Sequence, residues 1–130
     1  MGVTEHLSKQ FDAELETLRS RVLEMGGLVE SQIRRALDAL ASGDRSLSDE
    51  VIANDQRVNA MEVALDGDCS QVIVKRQPAA NDLRLILAIT KTVTDLERIA
   101  SSSVSNCFER CSFTSRLYVG AVGAKARAAS

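Results

Sequence analysis

The side chains whose type and spacing could do chemistry in this chain are carboxylates. Asp55, Asn59, Glu62 and Asp66 recur at steps of four, three and four. On a helix that rhythm lines them along one face as a stripe of oxygen donors. Further on, Glu97 shares a helical face with Thr94 and Ser101, while Lys91, Asp95 and Arg98 share another. Two facing helices that both present carboxylates can hold a cation. An all-oxygen donor set suits Mg, Ca, Mn or Fe better than a soft metal. The metal candidates are therefore Asp55, Asn59, Glu62, Asp66 and Glu97, for a divalent or iron cation. The same spacing also describes a solvated helix face held by intrahelical Arg–Asp pairs, each worth a few tenths of a kcal/mol.

Other chemistries lack their residues. The single histidine, His6, is remote in sequence from the carboxylates, and the Glu-x-x-His pairs of di-iron bundles are absent. No Ser/His/Asp set, glycine-rich phosphate loop or Walker motif occurs, so the chain reads as a non-enzyme. Cys69 falls on an apolar stripe and reads as core. Cys107 and Cys111 are one helical turn apart but lack a third and fourth ligand for zinc. An odd, unpatterned set of three cysteines fits a reducing cytoplasm. A net charge of −2 and a pI of about 5.4 argue against nucleic-acid binding. No apolar run is long enough to span a bilayer, and Glu5, His6 and Lys9 occupy the place of a secretory core. Any membrane contact is expected to be indirect.

The elements that must position these residues are helices. Apolar residues make up 45% of the 130 positions and aromatics only 3%, a balance that suits a bundle packed with aliphatic side chains. Leu7, Phe11, Leu15, Leu18, Val22, Met25, Val29, Ile33, Ala36 and Leu40 recur at threes and fours. They predict a helix over residues 5–41 with Thr4 as its cap. Gly43 suits the helix end and Asp44 the next N-cap. Leu47, Val51, Val58, Met61, Leu65, Cys69 and Val72 then predict a second helix over 45–75. Pro78, the only proline, fits the first turn of a third helix. That helix carries Leu83, Ile86, Leu87, Ile89, Val93, Leu96 and Ile99 and is expected to run to about 112. Short connections make the three antiparallel, an all-α, up-down-up bundle. Residues 1–100 hold 12 basic and 17 acidic groups, whereas residues 101–130 hold four and one. The chain therefore divides into a three-helix unit over 1–100 and an atypical tail over 101–130, a short extension of the third helix followed by a loosely ordered end.

Several motifs together resemble the PhoU family of bacterial phosphate-transport accessory proteins. They are the His6-to-Leu15 opening, Met25-Gly26, Val29-Glu30-x-Gln32-Ile33 and the Asp55/Asn59/Glu62/Asp66 run. The most specific are Arg76-Gln77-Pro78-x-Ala-x-Asp82-Leu83-Arg84 and Asp95-Leu96-Glu97-Arg98-Ile99. The resemblance covers residues 1 to about 99. It implies two similar three-helix repeats, of which this chain holds one. It implies negative regulation of the phosphate-starvation response, through contact with the phosphate ABC transporter ATPase and its sensor histidine kinase. It also implies frequent dimers, and cation binding through acidic motifs in some members. Arg76, Gln77, Pro78, Asp82, Arg84, Asp95 and Arg98 are then structural or interaction residues, with Arg76 and Arg84 reaching carboxylates on neighbouring helices. The chain departs from the pattern where Ala100-Ser101 replace the usual Gly-Asp, removing one carboxylate from the Glu97 motif. A single repeat also leaves an apolar face that a second would cover, so self-association is expected. A generic helical interaction module with no phosphate role is the other reading of the same helices.

Overall fold

The computed structural model describes the backbone of residues 2–128 and the side chains of residues 8–110. Three helices form, α1 (Gly2–Ser42), α2 (Arg45–Arg76) and α3 (Ala80–Ala128), and each packs on both others. At 1.5 Å per residue α2, with 32 residues, is about 48 Å long.

The turns follow from local chemistry. Gly43 takes φ +68°, and its N–H donates to the Ala39 carbonyl at 2.9 Å, closing α1. Glycine adopts that left-handed conformation without a Cβ penalty. The Asp44 carboxylate then accepts from the N–H and hydroxyl of Ser46, both at 2.9 Å, capping α2. At the other end Gln77 closes α2 in the same manner, at φ 43° with its N–H on the Ile73 carbonyl. A non-glycine residue holds that conformation at a cost. Pro78 lies in the connection rather than in the first turn of α3, which begins at Ala80. Asp82 sits in that first turn, where its charge complements the helix dipole.

Several expectations are corrected. α1 starts at Gly2, so Thr4 lies inside the helix and does not cap it. Gly26 and Gly27 lie inside α1, where a Cβ at either would meet nothing within 4 Å. α3 runs to Ala128, past the expected end near 112 and through the tail expected to be loose. No proline follows Pro78, and the tail is rich in alanine with lysine and arginine, all strong helix formers. The helix passes through Ala100-Ser101-Ser102-Ser103. Ala100 is fully buried, Val104 is packed, and Cys107 is 2% exposed.

The buried seam follows a heptad rhythm. On α1 it passes through Leu15, Leu18, Met25, Val29, Gln32, Ala36 and Ala39, with Ile33 and Leu40 only half-buried. On α3 it uses Ile86, Ile89, Val93, Ala100 and Cys107, leaving Leu87 and Ile99 about half exposed at 53% and 50%. The buried apolar side chains fall into two clusters. The larger includes Met25, Val29, Val58, Leu65, Ile86 and Ala100; the smaller is Ala36, Ala39, Val51 and Cys107, flanked by Leu47 and Val104.

Candidate functional site at the helix seams

The carboxylate stripe of α2 is not gathered into one site. Glu62 is half-buried and lies near enough to Glu97 of α3 and to Asp66 to feel both charges. Burial and those two carboxylates hold the Glu62 carboxyl above its usual range. Asp55 instead turns inward and accepts a hydrogen bond from Gln32 of α1 at 3.1 Å. Asn59 is exposed, and so is Asp66. Among the described residues no three His, Cys, Asp or Glu side chains are grouped to hold a metal ion. Of the five sequence candidates, Glu62, Glu97 and Asp66 lie near one another, while Asp55 is tied to Gln32. His6 and Cys111 have side chains outside the described residues.

The turn motif divides in the same way. Arg76 reaches across to α1. Its Nε and Nη2 donate to the two carboxylate oxygens of Glu14 at 3.1 and 3.0 Å, and Nη2 also donates to Gln10 at 3.3 Å. That two-pronged contact draws the Glu14 carboxyl below its usual range, with the nearby charge of Lys75 adding to it. Arg84, Asp95 and Arg98 are exposed and make no ion pair among the described residues. Gln77, Pro78 and Asp82 line an open depression of about 360 Å³ with Ser8, Phe11 and Arg76. Two further ion pairs tie α1 to α2, Arg21 to Asp68 and Arg35 to Glu50.

A buried polar network joins Asp55, which spacing singles out, to Gln32 and Asn54, which it does not. Gln32 is completely buried and Asn54 nearly so. Gln32 Nε2 donates to Asp55 Oδ1 and, at 2.9 Å, to the backbone carbonyl of Ala100. Asn54 Nδ2 donates to Gln32 Oε1 at 3.2 Å and to the Leu28 carbonyl at 3.3 Å. All three helices meet in this network. Among the described residues it leaves no buried side-chain polar atom without a partner, as burial of amides demands. A signal was present: Gln32 falls in step between Val29 and Ala36, and Asn54 fills the gap between Val51 and Val58. Burial also raises the Cys69 thiol above its usual range, partly offset by a hydrogen bond with Thr90. The described side chains thus offer interhelical clamps and a carboxylate pair across α2 and α3.

The family model described as the PhoU domain matches residues 22–108. The chain belongs to the PhoU family. The match runs nine positions past residue 99, where the sequence motifs alone stop, in keeping with the packing of Val104 and Cys107. The chain is 46% identical to the phosphate-specific transport system accessory protein PhoU of Escherichia coli, over 82% of this chain and 44% of that protein. It is 48% identical to the PhoU homolog of Pseudomonas aeruginosa, over 78% and 42%. The homolog of Aquifex aeolicus is 38% identical, over 75% and 43%. The crystal structure of PhoU from Pseudomonas aeruginosa superposes with a TM-score of 0.71 at 46% identity, covering 78% of this chain and 50% of that one. This chain spans a little under half the length of these curated relatives.

Proposed function

We propose that the protein is a regulator of phosphate uptake and of phosphate-starvation signalling, acting by protein–protein contact and not by catalysis. The observation that carries the reading is the identity of 46–48% with proteins named as phosphate-specific transport accessory proteins. In this reading the chain works in the cytoplasm and restrains the starvation response. Its partners are the ATPase subunit of the phosphate ABC transporter and the phosphate sensor histidine kinase, and it pairs with a second copy of itself. Leu23, Val63 and Val74 are 77%, 72% and 75% exposed. Ile52, Val63 and Val74 follow one another at eleven-residue steps, close to three helical turns, so they share one meridian of α2. They stand about 16 Å apart with polar Asn59, Asp66 and Ser70 between them, so each is a separate exposed side chain, and the contact reading rests on the similarity to accessory proteins.

The test is retention of the transporter ATPase and of the kinase's cytoplasmic portion on the immobilised full chain, with sedimentation of the same sample. Retention of either partner, weakened by Val63→Asp with Val74→Asp, supports the reading. Retention of neither overturns it and leaves a helical module without a phosphate role.

A further inference from the structure

The two apolar clusters are not separated by distance alone. Between them lies the polar layer of Gln32, Asn54, Asp55 and the Ala100 carbonyl. On α1 the layer sits between Val29 of the larger cluster and Ala36 of the smaller. On α2 it sits between Val58 and Val51. On α3 it falls at Ala100, seven residues before Cys107. The smaller cluster is made of small side chains, two of them alanines, and buries little apolar area per residue. The Ala100 carbonyl at the junction also accepts from the Ser103 hydroxyl at 2.7 Å, in addition to Gln32. Serine back-bonding of this kind loosens the local helical ladder.

We propose that the bundle is two cooperative units joined at this layer, and that the end holding the α1–α2 turn opens while the larger core stays folded. Among the described residues, opening there breaks few apolar contacts. The layer itself borders on water through half-buried Asp55, so its amides can be hydrated when the end departs. Units of this kind exchange their amides through partial unfolding, at a free energy below that of the whole molecule.

The experiment is native-state amide hydrogen exchange of the full chain across a denaturant series. Amides of residues 36–39 and 104–107 are expected to share one isotherm, lying below a second shared by residues 58–72 and 86–96. Leu65→Ala removes packing from the larger core only. It should speed exchange in the second set by at least about 30-fold and leave the first set unchanged within about twofold. Val51→Ala, in the smaller cluster, should speed both sets, because both openings release Val51. If Leu65→Ala does not fold, Ile86→Val makes the same comparison at about fivefold. Equal acceleration of both sets by the larger-core variant would overturn the proposal. So would a smooth gradient of protection toward the turn, which is simple end fraying.

Discussion

Gln32 allows the sharpest test of how this bundle is held. Its side-chain amide is completely buried and makes three hydrogen bonds, to Asp55, Ala100 and Asn54. Gln32→Met keeps nearly the same volume and removes all three. Asp55, half-buried, can turn to water. The Ala100 carbonyl keeps Ser103, and Asn54 keeps Leu28 but strands one N–H in the core. A stranded buried donor costs about 1–3 kcal/mol, and loss of the bond to the Asp55 carboxylate about 1 kcal/mol more. The apolar side chain returns about 1 kcal/mol. The expected net loss is about 2 kcal/mol, a fall in Tm of roughly 6–10 °C at this chain length. The double variant Gln32→Met with Asn54→Leu removes donor and acceptor together. It should come within about 1 kcal/mol of the parent, because replacing both partners avoids the stranded group. Urea unfolding followed by far-ultraviolet circular dichroism measures four stabilities, those of the parent, Gln32→Met, Asn54→Leu and the double variant. A single variant as stable as the parent, or a double variant that loses the sum of the two singles, refutes the reasoning.

Four further outcomes are expected. Gly43→Ala should lose about 1 kcal/mol, because Gly43 sits at φ +68° with open space around it and only the backbone conformation resists a Cβ; Gln77→Gly should shift the melting temperature the other way. Glu62→Gln should stabilise at neutral pH by up to about 1 kcal/mol. The folded protein holds the Glu62 proton more tightly than the unfolded chain does, so parental stability falls as pH rises above the ordinary value of 4.5. The gain from the variant should vanish below that pH. Arg76→Ala carries the opposite sign of pH dependence. Glu14 is drawn below 4.5 by Arg76, so the clamp's contribution is fully present above 4.5. The stability gap between parent and variant should close as pH falls through the depressed Glu14 value, measured by thermal melts across an acid series.

The helices, their antiparallel order and both turns were legible because each rests on local chemistry: apolar steps of three and four, Gly43 before Asp44, and Pro78. The end of α3 was misjudged because the change in charge balance after residue 100 is a matter of composition, whereas a buried Ala100 and a packed Val104 hold the helix in place through tertiary contact. Gln32 and Asn54 were read past because hydropathy cannot distinguish an amide that faces water from one satisfied inside the core. That difference depends on where the other two helices place their partners. The carboxylate stripe shows the limit of spacing from the other side. Periodicity put Asp55, Asn59, Glu62 and Asp66 on one face, but that face is wide enough for Asp55 to turn toward α1 while Glu62 lies beside α3. Of the turn residues, Arg76 meets the carboxylate of Glu14, whereas Arg84 makes no ion pair among the described residues. Which long side chain lands on which partner is set by helix rotation, to which sequence spacing is blind.

The heptad seam of α1 has one further consequence, for alignment. A seam of repeating apolar positions is nearly indifferent to a slide of seven residues, since Met25, Val29, Ala36 and Ala39 could exchange places at modest cost. Gln32 is not interchangeable. A slide in either direction would carry its amide into the slot of Met25 or Ala39, away from Asn54 and Ala100, and would strand both ends of the network. At about 1–3 kcal/mol for each stranded group, the misaligned bundles are set apart from the native one by an amount comparable to much of a small domain's stability. One glutamine thereby assigns each turn of α1 its opposite number on α2 and α3.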